Sequence, residues 1–509
     1  MAVTPPERAD ITRLAHQYGF GVNSAEIDSY RDLVTAALAS YDEVDGLYRR
    51  YRETMPERAF TIPDAAENEY AAWYVRTRIS GTGQGPLAGR TVVLKDNIAL
   101  AGVPMMNGSR AVEGFRPLRD ATVVRRLLDA GAVIGGKAVC EDLCFSAGSF
   151  TAASGPVRNP WDPARMTGGS SAGCAALLAA GEAELAVGGD QGGSIRLPAA
   201  FCGVVGHKPT HGLVPYTGAF PIETTLDHLG PMTRTVADAA LLLGVLAGDD
   251  GYDPRQYRTS TPQDYLAALG GDLSGLRIGV LEEGFGWPGL SLAPVDEAVL
   301  EATRVLAAAG ARVSRIGVPW HRDGLHLWNV IATEGATTQM IDGNAFGMNW
   351  AGRYDPELLE HYAHGRVATA EQMAVTLKAT ALCGRYTIER HGGRYYAMAR
   401  ELAWRLRAAY DEALTEVDLL ALPTVPYTAR PIPDSGYTEA GLIEAALGML
   451  HNTVPFDVTG HPAISVPAGL VDGLPTGLML VGRRFADADC LRAAAAYESA
   501  LDGFPSPNV

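Results

Sequence analysis

Residues Thr167 to Pro198 carry two glycine-serine knots, Gly168-Gly169-Ser170-Ser171 and Gly192-Gly193-Ser194, joined by a run of small and apolar residues. Glycine lets the backbone approach another group closely or take φ > 0, so two such loops can aim several N–H groups into one small space. Hydroxyls at the focus of both loops suit acyl transfer at a serine, with backbone amides holding the oxyanion. A serine hydroxyl also needs a base. The chain has four lysines, Lys95, Lys137, Lys208 and Lys378, against 38 arginines, and three of the four lie between positions 95 and 208. A buried lysine can lose its proton near neutral pH and arginine cannot, so a lysine kept here is a candidate base. Lys95 ends the apolar run Thr91-Val92-Val93-Leu94, a place suited to desolvation. Lys137, after Ala132-Val133-Ile134-Gly135-Gly136, is the rival, and the pattern leaves both open.

Other chemistries fit less well. Gly169-Ser170-Ser171-Ala172-Gly173 matches the nucleophile elbow of α/β-hydrolases, with Ser171 as nucleophile, but an elbow must follow a strand directly. The preceding Asn159-Pro160-Trp161-Asp162-Pro163 is turn material, which cannot feed a central strand. Dinucleotide binding fails because Pro86 stands where the third glycine after Gly81-Thr82-Gly83 should be, and neither knot ends as a phosphate loop does. The 11 histidines are scattered, and Cys140 and Cys144 have no second pair at ligand spacing, so no metal is expected.

The elements that must position these residues follow from periodicity. Short apolar strands at Thr91–Leu94, Ala132–Ile134, Glu184–Val187, Leu276–Leu281, Ala311–Ile316, Asp418–Leu422 and Leu478–Val481 alternate with helices at Asp120–Ala130, Ser171–Ala180 and Val295–Ala309. That alternation predicts an α/β sheet covered by helices on both faces. Residues 1–64 read as a separate helical region. Ile27, Tyr30, Leu33, Val34, Tyr41, Val44 and Leu47 form one apolar face, either a dimer contact or a face packed on the chain's own catalytic domain. Residues 65–509 form that domain, with a mostly helical insertion at about 320–415 placed to wall a pocket. A net charge of −16 argues against nucleic-acid or anionic-membrane partners. With no membrane-length apolar run and six cysteines in mostly apolar settings, the reading is a cytoplasmic protein with reduced, buried thiols.

Three motifs in order, Val93-Leu94-Lys95-Asp96-Asn97, Gly168-Gly169-Ser170-Ser171 and Gly189-Asp190-Gln191-Gly192-Gly193-Ser194-Ile195-Arg196, resemble those of the amidase signature family. Gly206-His207-Lys208-Pro209-Thr210, Gly230-Pro231-Met232 and His461-Pro462-Ala463-Ile464-Ser465 extend the resemblance, which runs from about residue 85 to the C-terminus. The Gly189–Arg196 form and the Pro104–Ser109 segment are most similar to bacterial enantioselective amidases acting on aliphatic and aromatic carboxamides. The resemblance implies the amidase signature fold with a mixed central sheet, and a Ser-cisSer-Lys triad. Ser194 is then the nucleophile, Ser170 (its bond from Gly169 cis) the bridge and Lys95 the base, leaving Lys137 structural and Ser171 a helix cap. Backbone N–H groups of Gln191, Gly192, Gly193 and Ser194 form the oxyanion hole. Phe145 and Trp328 wall the acyl pocket, and the Gln191 side chain reaches the substrate carbonyl or the oxyanion. No cofactor is implied. Ala172 and Cys174 depart from the glycine and serine usual at those positions, both on the helix and both small. The implied activity is hydrolysis of carboxamides to acid and ammonia, and the apolar N-terminal helices make a homodimer the expected assembly. The alternatives are the glutaminase subunit of a tRNA-dependent amidotransferase, or a hydrolase of hydrazides, anilides or esters.

Overall fold

A computed structural model describes residues 3–256, 263–270, 273–345 and 351–507. Residues 346–350 of the expected insertion therefore lie outside the described residues. The chain divides into two compact units, residues 1–56 and 57–509.

The first unit is a pair of helices, α1 (Arg8–Tyr18) and α2 (Ser24–Tyr51). Gly19, at φ 70°, ends α1 in the left-handed conformation that glycine adopts without cost. Asn23 caps α2: its side chain accepts from the N–H groups of Ala25 and Glu26, while Glu26 accepts from the Asn23 N–H. Arg8 ties the two helices through Asp28 at 2.6 Å. Ile27 is the buried residue of α2, and Tyr30, Leu33, Tyr41, Val44 and Leu47 stay exposed.

In the second unit fourteen strands are described: β1 (Phe60–Thr61), β2 (Trp73–Ser80), β3 (Thr91–Lys95), β4 (Val133–Ala138), β5 (Arg158–Asn159), β6 (Asp162–Met166), β7 (Leu185–Asp190), β8 (Val205–Lys208), β9 (His228–Thr233), β10 (Arg277–Leu281), β11 (Arg312–Ile316), β12 (Leu419–Pro423), β13 (Ala463–Val471) and β14 (Leu474–Gly482). All but β5 and β6 join one mixed sheet in the order β1-β2-β4-β3-β7-β9-β8-β13-β14-β12-β10-β11. The helices include α3 (Thr122–Asp129), α4 (Ala172–Ala179), α5 (Arg196–Cys202), α6 (Val236–Leu246), α7 (Ala293–Ala308) and α8 (Gly324–Ala336). After them come α9 (Pro356–Ala368), α10 (Val375–His391), α11 (Arg394–Glu416), α12 (Glu439–Leu447), α13 (Val454–Thr459) and α14 (Asp487–Ala500).

Strand residues point alternately to opposite faces, and both faces here are dry. Leu419 and Ala421 of β12 and Leu478 and Leu480 of β14 enter one core with α6, α7 and α14. Leu420, Leu422, Met479 and Val481 enter another with α8 and α11. This is the α/β architecture with helices on both faces that the alternation predicts. Among the described residues no helix is long and apolar enough to cross a membrane.

Two local differences from the sequence reading matter for the site. β7 continues through Gly188-Gly189-Asp190 because these residues pair with Gly230, Leu229 and His228 of β9, so the second knot starts directly from a strand end. The strand before the first knot, β6, pairs with β5 in a separate two-stranded sheet, so no strand of the main sheet feeds Ser170 or Ser171.

Candidate active site

Parallel pairing sets the geometry. Val92, Val93 and Leu94 of β3 lie opposite Leu185, Ala186 and Val187 of β7, so the strands end together. The carboxyl ends of parallel strands are where open α/β sheets assemble their sites. Lys95 thus meets the loop that leaves β7.

Lys95 is fully buried, and its Nζ donates to Ser170 Oγ at 2.7 Å and to the Gly189 carbonyl at 3.1 Å. The Gly169–Ser170 peptide bond is cis. Among the described residues no carboxylate pairs with Lys95. Lys137, the rival, is committed elsewhere: its Nζ sits 2.7 Å from Asp96 Oδ1. Oδ2 of the same carboxylate accepts from the N–H groups of Met106 and Asn107 at 2.8 and 2.6 Å, so the pair fastens the loop after β3. Ser194 begins the turn into α5. Among the described residues its hydroxyl makes no hydrogen bond, and neither serine hydroxyl donates to the other.

Ser171 does not cap α4 through its side chain, as the sequence reading has it. Its Oγ donates to the Gly189 carbonyl at 3.1 Å and accepts from the Gly189 N–H at 3.2 Å. The hydroxyl is therefore a fully buried brace between the two knots, away from the cavity, and the nucleophile-elbow reading loses its serine.

The second knot is held by charge. Asp190 accepts from Arg196 Nε and Nη2, both at 3.0 Å, and Arg196 Nη2 also reaches Asp457 Oδ2 at 2.7 Å. All three side chains are fully buried. Burial opposes the Asp190 charge, but the Arg196 guanidinium overrides it and holds this carboxyl well below the usual carboxylate range. Asp190 Oδ1 also takes the Gly193 N–H at 2.6 Å, and Oδ2 takes that of Ile195 at 3.1 Å. The Gly193 amide is spent on Asp190, and the N–H groups of Gln191, Gly192 and Ser194 remain without acceptors among the described residues. Gly193 itself, at φ 131°, has no room for a side chain, because a Cβ would lie 2.5 Å from Thr453 Oγ1.

Gln191, Gly192 and Ser194 border a cavity whose other walls include Cys144, Phe145, Leu226 and Trp328. Phe145 and Trp328 both line this cavity. Trp328, on α8 of the insertion, also donates from Nε1 to the Gln191 carbonyl at 2.7 Å. Sequence reasoning missed Cys144, Leu226 and the brace of Asp190, Arg196 and Asp457. Cys144 sits beside Phe145 and could have been named with it, but nothing local marks Leu226 or Asp457. It also read all six cysteines as buried, whereas Cys383 lies exposed on α10.

The amidase family model matches residues 32–491. The chain belongs to the amidase family. It is 52% identical to an enantioselective amidase of Rhodococcus rhodochrous over 99% of this chain and 98% of that one. Identity to a glutamyl-tRNA(Gln) amidotransferase chain of Chloroflexus aurantiacus is 36%, over 92% of each. Among solved structures, the peptide amidase of Stenotrophomonas maltophilia superposes with a TM-score of 0.68 at 32% identity, covering 83% of this chain and 85% of that one. The protein is an amide-hydrolysing enzyme of the amidase signature fold.

Behind the second knot, Lys208 is fully buried and donates to the carbonyls of His461 at 2.7 Å and Pro209 at 3.3 Å. Burial lowers it from the ordinary 10.5 to about 8, against the pull of Asp457. The folded enzyme thus sheds this proton before the unfolded chain does. The linked stability is full above 10.5 and is lost as pH falls through about 8. Lys208→Met is expected to flatten this slope, a difference on the order of 3 kcal/mol between pH 7 and 11. Denaturation midpoints measured across that range test it, and parallel curves for both proteins would contradict it.

Proposed function

We propose that the enzyme hydrolyses carboxamides with aliphatic or aromatic acyl groups to the carboxylic acid and ammonia, through an acyl-enzyme on Ser194. The observation that carries this reading is the 2.7 Å contact between buried Lys95 and Ser170, beside an apolar cavity bordered by Ser194. Asp96, the adjacent carboxylate, is paired with Lys137 and not with Lys95.

Ser194 Oγ attacks the substrate carbonyl as its proton passes to Ser170 and the Ser170 proton passes to Lys95. The backbone N–H groups of Gln191, Gly192 and Ser194 stabilise the tetrahedral oxyanion, each donor contributing about 3 kcal/mol. Ser170 then returns a proton to the leaving nitrogen and ammonia departs. Water cleaves the ester by the same relay in reverse. Mass spectrometry of enzyme quenched during turnover of a slow aromatic amide tests the assignment. The acyl adduct is expected on Ser194, and an adduct on Ser171 would overturn it.

Phe145, Leu226 and Trp328 support an apolar acyl group. Glutamine, the substrate of the alternative reading, carries a charged amino acid end that such walls leave unpaired. A glutaminase subunit would also co-purify with a second chain and prefer glutamine. Five buried cysteines without a disulfide support a reducing cytoplasm. The exposed apolar stripe on α2 supports a homodimer. Light scattering of a Leu33→Asp/Val44→Asp variant is expected to report a monomer, and an unchanged dimer mass would refute that role.

A further inference from the structure

The orientation of one side-chain amide says what kind of leaving group the site accepts. Tyr216 Oη lies 3.1 Å from the Phe220 carbonyl, 2.9 Å from Gln191 Nε2 and 3.2 Å from Asn97 Nδ2. A phenol has one proton and a backbone carbonyl can only accept, so the proton goes to Phe220. Oη is then an acceptor for both amides, which fixes Gln191 with Nε2 toward Tyr216. The amide nitrogen of Gln191 is therefore engaged by Tyr216.

What remains is Oε1. It is buried and has no hydrogen-bond partner among the described residues. Gln191 is 4% exposed and borders the cavity next to Gly192 and Ser194. A free carbonyl oxygen repels a developing oxyanion, so this side chain cannot serve the oxyanion as its position in sequence suggests. An N–H group suits it, and leaving it unpaired is costly. In a substrate RCONH2 the N–H groups are on the leaving nitrogen, while the acyl part meets apolar walls.

We infer that Gln191 Oε1 accepts a hydrogen bond from the leaving nitrogen and selects substrates bearing an N–H there, amides and hydrazides, over esters of the same acid. Tyr216 is a positioning residue that holds Gln191 in this orientation. The inference rests on acyl transfer to Ser194, and the same oxyanion hole and acyl-enzyme serve amide and ester, so their ratio isolates the leaving-group contact.

The test is kcat/KM for benzamide and methyl benzoate in four proteins: unaltered enzyme, Gln191→Met, Tyr216→Phe and Ser194→Ala. Gln191→Met keeps the bulk and removes the acceptor, and it is expected to lower the amide-to-ester ratio about 10- to 100-fold, chiefly through the amide. Tyr216→Phe is expected to shift the ratio the same way by a smaller factor, with a loss of packing alone moving both substrates together. An unchanged ratio in Gln191→Met, whether both rates persist or both fall equally, overturns the inference. If that variant does not fold, Tyr216→Phe decides by the same criterion. Ser194→Ala separates this from failure of the underlying reading: loss of both activities leaves acyl transfer standing, and retention of either rejects it.

Discussion

Ser194→Ala is expected to lower kcat for a primary amide at least about 10⁴-fold while leaving the thermal midpoint within a few degrees. The two halves of this expectation have separate causes. The Ser194 hydroxyl makes no hydrogen bond among the described residues, so the fold does not depend on it. The backbone of the second knot is held instead by Asp190, Arg196 and the Gly193 and Ile195 amides. Residual turnover would come from the remaining oxyanion donors acting on water. Lys95→Met should fall nearly as far, because groups acting as one relay are not additive. Ser171→Ala is the informative contrast. It removes the brace to Gly189, worth about 1–2 kcal/mol of stability, and should keep activity within about tenfold. A Ser194→Ala enzyme retaining a tenth of its activity, or a dead Ser171→Ala enzyme that melts normally, would reassign the nucleophile.

The largest effect on stability is expected from Arg196→Met. This side chain is fully buried and is the cation between Asp190 and Asp457. Its removal leaves carboxyl groups without compensation in a dry interior, a loss of about 3–5 kcal/mol. Arg196 Nη1 also donates to the Thr453 carbonyl at 2.9 Å, so the variant additionally loosens α13 from the knot. Urea midpoints measure the loss, and a shift worth less than about 1 kcal/mol would mean the buried Arg196–Asp190 pair barely outweighs its own desolvation. Activity should fall further than stability explains, since Asp190 would no longer be held where it fixes Gly193.

Much of the frame was legible because its signals are local. The apolar run ending at Lys95 became β3, and the small-residue run after Ser171 became α4, with boundaries moved by a residue or two. The roles of hydroxyls and amides were less legible, since they depend on what the fold brings near. Ser171 has the position of a cap, yet the end of β7 brings Gly189 within reach and takes its hydroxyl. Gly193 looks like an oxyanion donor until Asp190, three residues earlier, claims its N–H. The residue pattern alone favoured Lys95 over Lys137 only slightly, and nothing in it showed that Asp96 would pair with Lys137 across the parallel strands β3 and β4. Tyr216 and Asp457 carry no motif that links them to residues 190–196, and only the tertiary fold does so.

The indole of Trp328 has a consequence for how such an enzyme can diversify. It borders the cavity and also donates to the Gln191 carbonyl, so on the proposed reading one side chain from the insertion serves both acyl recognition and the shape of the turn that carries Ser194. Changes at 328 cannot broaden the substrate range without also altering the rate. Phe145 and Leu226 have no such second duty on that turn, and new acyl preferences should accumulate there first. Directed evolution toward bulkier acids should recover substitutions at 145 and 226 early, and at 328 only alongside compensating changes.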